Sequence, residues 1–213
     1  MKLKTLLLLG SAGLLVAIGV NQLGQRSVEI SAITVDQLVD PQLIKQPLQQ
    51  PLPDYEKTPF DIDGEYTVEP LYEFELAAVV LSTKTYSGSG HEANLSPVDF
   101  ALGWGPMAEW DHIDQLEVSQ SGRWYRWRTD HWFIPRRAIE THSANMHMVP
   151  ATDEIEEQLM SVDPHDSLYI RGKLVRIRSN ESNWRWQSST TRKDTGNGAC
   201  ELVFVEEIKR LER

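Results

Sequence analysis

Two imidazoles, an amide and a hydroxyl crowd into His142-Ser143-Ala144-Asn145-Met146-His147, a run with the residue types of metal binding and proton transfer. Zinc takes neutral imidazoles and carboxylates in a tetrahedral array, and Glu140 or the Asp130-His131 pair can supply a third ligand. A centre built from His142, His147 and Glu140 is the basis of an alternative reading as a metal-dependent hydrolase. The spacing argues against a helical zinc motif. His142 and His147 are five residues apart rather than four, which turns them about 140° from each other on a helix. The run therefore reads first as structural, with His142 and Asn145 satisfying buried backbone groups in an irregular turn between helices. No cofactor is expected, and no catalytic residue is assigned.

Tryptophan and arginine form the second constellation. Seven tryptophans are present, and several alternate with arginine, in Arg123-Trp124-Tyr125-Arg126-Trp127-Arg128 and in Trp184-Arg185-Trp186. On strands, Trp124, Arg126 and Arg128 share one face and Arg123, Tyr125 and Trp127 the other, while Trp184 and Trp186 fall together. Such faces can stack sugar rings or bases, so Trp124, Arg126, Trp127, Trp184 and Trp186 are the candidate ligand-binding residues. Arginine over aromatic rings is also an ordinary way to cover a sheet.

Two further signals carry less. Asp194-Thr195-Gly196 spells the aspartic-protease tripeptide, in which two carboxylates share a proton. Here Arg192-Lys193 precede it where a hydrophobic strand belongs, and no second copy exists. Gly196-Asn197-Gly198 reads instead as a hairpin turn tolerant of positive φ. Cys200 is the single cysteine. It precludes an intramolecular disulfide and reads as a buried, inert thiol in a strand.

The elements that must hold these residues begin at Tyr66. YTVEPLYEFELAAVVLSTKTY alternates as a long strand, bent at Pro70. Ser96-Pro97 has the chemistry of a helix start and predicts a short helix carrying Val98, Phe100, Ala101 and Leu102, ended by Gly103. Leu116 to Ser119 and Arg123 to Arg128 read as a hairpin. Helices follow at Pro135 to Thr141 and from Thr152 to about Met160. Strands are expected at Ser167 to Arg178, Trp184 to Ser189 and Ala199 to Val205. Short connections exclude repeated parallel crossovers, so the fold class is α+β, a mostly antiparallel sheet with short helices. Gly172, inside DSLYIRGKLVRI, suggests a strand that bends, and with it a sheet curled into a small OB-like barrel.

Location is legible at the start of the chain. Lys2 and Lys4 precede an uncharged run of sixteen residues from Thr5 to Val20. At 1.5 Å rise that run reaches about 24 Å, between a signal-peptide core and the ~30 Å of a full span. Ala17-Ile18-Gly19 is a poor cleavage signature, so residues 1–21 are read as an uncleaved N-terminal transmembrane helix. Positive-inside orientation then places a single-pass protein in the inner (cytoplasmic) membrane with its C-terminal domain outside the cytoplasm. Residues 22–65, with Pro41, Pro47, Pro51, Pro53 and Pro59 among glutamines and acids, read as a semi-rigid spacer. Residues 66–213 form the exported domain.

The whole chain carries 21 basic and 31 acidic residues, a net charge of −10. Lys2, Lys4 and Arg26 belong to an acid-free leader, so from Ser27 onward 18 positives face 31 acids, a balance of −13. A domain of that charge is repelled by phosphate backbones, which disfavours nucleic acid as a partner.

The strings GWGPM (103–107), SGRWY (121–125), HSANMHMVPA (142–151), GKLV (172–175) and SSTTRKDTGNGACELV (188–203) resemble a group of uncharacterised bacterial proteins with an N-terminal membrane segment. The likeness spans most of the folded domain. It implies bacterial origin and a shared fold and transfers no catalytic residue. The expectation is a membrane-anchored envelope protein whose domain binds a protein or cell-wall glycan partner without catalysis.

Overall fold

The structure, a computed structural model, describes residues 28–38, 40–191 and 199–212. The apolar leader, Asp194-Thr195-Gly196 and the turn at Gly196-Asn197-Gly198 lie outside the described residues. Among the described residues, no helix is long and apolar enough to cross a membrane.

The strands in chain order are β1 (Ala32–Thr34), β2 (Leu48–Pro51), β3 (Phe60–Ile62), β4 (Tyr66–Thr85), β5 (Val98–Gly103), β6 (Glu117–Ser121), β7 (Trp124–Arg128), β8 (Ser143–Pro150), β9 (Ser167–Ser179), β10 (Arg185–Gln187) and β11 (Glu201–Glu212). The α-helices are short: α1 (His91–Leu95), α2 (Trp110–Ile113), α3 (Arg136–Thr141) and α4 (Asp153–Met160). The molecule is mostly sheet with few short helices, as the α+β reading requires.

Among the described residues nine strands form one sheet, and β6 and β7 form a separate hairpin. Within the large sheet β4 pairs antiparallel with β5 and β9, and β5 pairs antiparallel with β8. Strand β8 runs parallel to β11, and β11 returns antiparallel to β9. These five pairings follow one another in a ring. Strands β1, β2, β3 and β10 add to the edges, so the sheet is not a plain barrel.

Bulges bend the long strands. The register of β4 shifts between Pro70 and Tyr72, and that of β11 between Val205 and Glu207. One extra residue reverses the alternation, so Tyr66 and Val68 face one core cluster while Phe74, Leu76, Ala78 and Val80 face another. Gly172 supplies the close approach: a Cβ there would collide with the Phe204 carbonyl oxygen. Phe100, Leu102, Met146, Met148, Leu168, Ile170 and Val203 fill the centre together with Leu159 of α4. Each such fully buried side chain stabilises by about 1.5 to 3 kcal/mol.

Three expectations are corrected. Val98 to Gly103 is a strand, not a helix, and all six residues are buried. Burial of both faces replaces alternation with a continuous apolar run, which carries no period. The helix lies just upstream, at α1. With His142 capping the end of α3, Ser143 to His147 is likewise the start of strand β8 rather than an irregular turn. Its inner residues Ala144, Met146 and Met148 are apolar, while Ser143, Asn145 and His147 are polar but buried on the other face.

The third correction concerns the stretch expected to be a stand-off spacer. Strands β2 and β3 pair with β4, β1 pairs with β11, and Ile30, Leu38, Leu43 and Leu52 are buried. Proline is compatible with this because β2 lies at a sheet edge, where a missing N–H breaks no central ladder. Isolated leucines between prolines then dock singly, without any period to announce them.

Candidate ligand-binding cleft

The site is built on the β6–β7 hairpin. Ser121 pairs with Trp124, leaving Gly122 and Arg123 as a two-residue turn with φ of +59° and +68°. Positive φ at both positions matches the hand of a twisted hairpin. Arginine in that region is strained, and its side chain makes contacts that hold it there.

Arg123 donates from Nη1 to Asp99 Oδ1 at 2.7 Å and to Ser96 Oγ at 3.3 Å, and from Nη2 to the Glu92 and Ser96 carbonyls at 2.8 and 2.9 Å. The guanidinium also lies 3.6 Å from the centre of the Tyr86 ring. Asp99 has no exposed surface. It receives a further contact from Asn145 Nδ2 at 3.3 Å. His147 Nδ1 stands 2.9 Å from Asp99 Oδ1, a close approach that is not an aligned hydrogen bond and becomes an ion pair when the imidazole is protonated. Asn145 also donates to the Arg123 carbonyl and accepts from Gln120 Nε2 at 2.7 Å. The result is a buried polar seam that clamps the hairpin onto the outer face of β5 and β8. Burial, followed by the Asp99 charge, pushes the Tyr86 hydroxyl up to about 12. Burial also pushes Tyr125 up, with its bond to Ser143 opposing.

Beside the seam a cleft of about 600 Å³ opens between β7, the chain leading into α3, and the adjoining ends of β8 and β11. Trp127 and Trp132 form a corner, their rings 6.1 Å apart at 84°. Trp132 and Trp124 are exposed. Arg126, Arg128 and Arg136 supply cationic rim groups, and Tyr125, Asn145, Cys200 and Glu201 also line the space. Arg136 sits 5.8 Å over Trp127 and pairs with Glu140 at 2.7 Å.

Of the five ligand-binding candidates, Trp124, Arg126 and Trp127 line this cleft. Trp184 and Trp186 do not. Trp184 stacks on His91 at 4.7 Å and donates its indole N–H to Glu92 Oε1, and Trp186 lies 4.7 Å from the His147 ring and 5.5 Å from the Arg123 guanidinium. That pair closes the seam from the other side.

The metal alternative does not assemble. His142 caps the end of α3, whereas His147 lies within strand β8. His142 Nδ1 lies 2.8 Å from the Ala138 carbonyl at the end of α3, His147 faces Asp99, and Glu140 is held by Arg136 and Arg137. Among the described residues, no three histidine, cysteine, aspartate or glutamate side chains converge on a metal position. Asn145 satisfies a backbone carbonyl, as the structural reading has it, although from a strand. Cys200 is half-buried rather than sealed, and its thiol lies 3.8 Å from the Arg123 carbonyl.

Sequence reasoning passed over Asp99, Trp132 and Arg136. Asp99 had a readable signal, a lone charge within the apolar run Val98 to Leu102, which marks a buried partnered acid. Trp132 sits in an irregular stretch with no period to place it, and Arg136 opens the short helix α3. No family model, no curated protein and no solved structure matches the chain.

Proposed function

We propose that the chain is a non-catalytic binding and assembly module of the bacterial cell envelope, and that the corner formed by Trp127 and Trp132 is where its ligand sits. The observation that carries this reading is the division of labour on the hairpin. The groups best suited to proton transfer, Asp99 and His147, are buried in the seam and hold the scaffold together, whereas the exposed indoles and arginines face the cleft. That arrangement offers stacking surface and charge.

The ring of five strands supports the finer reading as an OB-like barrel. Its members occur in the chain order β4, β5, β8, β9, β11, with the third and fifth parallel and α4 between the third and fourth. Barrels of that kind bind oligosaccharides and oligonucleotides across their second and third strands. Here those are β5 and β8, whose outer face the hairpin covers, and the cleft opens at its margin. A net charge of −10 favours a wall glycan or protein over nucleic acid. Residues 1–21 would tether the module to the inner membrane with residues 66–213 outside the cytoplasm.

Co-sedimentation of the detergent-solubilised full chain with purified peptidoglycan sacculi tests the reading. The protein should pellet with the sacculi, and Trp127→Ala should release most of it. Equal pelleting of both forms, or none of either, overturns the assignment.

A further inference from the structure

The cleft's three arginines are not equivalent, and the difference specifies a ligand. Arg128 pairs with Glu117 at 2.7 Å, and Arg136 pairs with Glu140 at 2.7 Å. Arg126 has no carboxylate partner among the described residues. Its Nη1 donates to Ser121 Oγ at 2.9 Å, a neutral hydroxyl, and the residue is exposed on the Trp124 face of β7. An uncompensated guanidinium lining the same cleft as Trp124, Trp127 and Trp132, on a molecule of net charge −10, is a local exception to the field around it.

Resting on the cleft reading above, we infer that the ligand is a glycan of neutral pyranose rings bearing an isolated carboxylate. Two indoles at 84° present one face for the C–H side of a ring and an edge against its flank. Arg126 then offers a planar pair of N–H donors to a carboxylate attached to that ring or its neighbour. The overall negative charge selects against a densely charged chain. A polyphosphate brings one anion per residue into a repulsive field, whereas a single carboxylate on an otherwise neutral strand can pair with Arg126 while the rest of the strand adds no charge.

Isothermal titration of the full chain in detergent separates the outcomes, with three probes: chitotetraose, a tetrasaccharide alternating N-acetylglucosamine with N-acetylmuramic acid, and dodecathymidylate. The acidic tetrasaccharide should bind about fivefold more tightly than the neutral one at low salt, the scale of one charge-assisted contact at an exposed position. Arg126→Gln should erase that difference, bringing the affinity for the acidic sugar down to that for chitotetraose. Trp127→Ala should weaken both. Equal binding of the two sugars, still dependent on Trp127, overturns this inference and leaves the cleft reading standing. Binding of neither sugar overturns both. Tighter binding of the oligonucleotide than of the acidic sugar overturns the inference in favour of single-stranded nucleic acid.

Discussion

The guanidinium of Arg123, at the tip of a hairpin, meets the fully buried carboxylate of Asp99 on the large sheet at 2.7 Å. This pair joins the β6–β7 hairpin, which carries Trp124, Arg126 and Trp127, to the large sheet. Arg123→Ala leaves a buried charge without its counter-charge and should destabilise the protein by about 3 to 5 kcal/mol in urea unfolding. The Asp99→Asn, Arg123→Gln double variant should recover part of that loss because no bare charge remains. A single-variant cost below about 1 kcal/mol would show that the seam contributes little.

Glycine tests the ring of strands. Gly172→Ala drives a methyl into the Phe204 carbonyl, and should cost about 3 kcal/mol or abolish folding. Gly122→Ala meets open space and only a φ of +59°, for about 1 kcal/mol. Similar melts for the two variants would mean that β9 and β11 do not cross so closely.

Residues 28–62 should matter to stability. Leu43 is buried among Leu38, Ala77, Tyr169 and Leu211. Leu43→Ala should lower Tm by about 6 to 12 °C, the shift expected for a buried leucine truncation in a chain of this length. An unchanged Tm would restore the stand-off spacer.

Alkaline pH should loosen the fold through Tyr86. Its hydroxyl is pushed from 10.0 to about 12 by burial and by Asp99. The folded state therefore holds that proton more tightly than the unfolded chain. The associated stability is complete below pH 10 and disappears as pH rises through about 12. Urea midpoints should fall across that window, and Tyr86→Phe should flatten part of the decline. An equal decline in the variant would assign the effect to other tyrosines.

Much of the scaffold was legible in the sequence because its signals are local. Thr152 caps α4 by accepting from the Ile155 amide, β4 alternates, and Gly122 marks the hairpin turn. The cleft was half legible: Trp124, Arg126 and Trp127 share strand β7, but alternation puts Trp127 on the face opposite the other two, and only the fold brings all three to one cleft. Trp184 and Trp186 showed a similar alternation with arginine, and only the docking of the hairpin turned them into a seal. Strands β5 and β8 were hidden because their periods depend on partners far away in the chain. Burial of Asp99 and Asn145 makes sense only once Arg123 arrives to pair with the first and accept from the second.

The proposed ligand site is the Trp127–Trp132 corner and not the Trp184–Trp186 cluster. Fluorine NMR of the 5-fluorotryptophan-labelled full chain resolves this directly, since each of its seven tryptophans gives a resonance assignable by substitution. Titration with the acidic tetrasaccharide should shift Trp124, Trp127 and Trp132 while Trp184 and Trp186 stay fixed. Shifts confined to Trp184 and Trp186, or no shift at saturating sugar, would contradict the account.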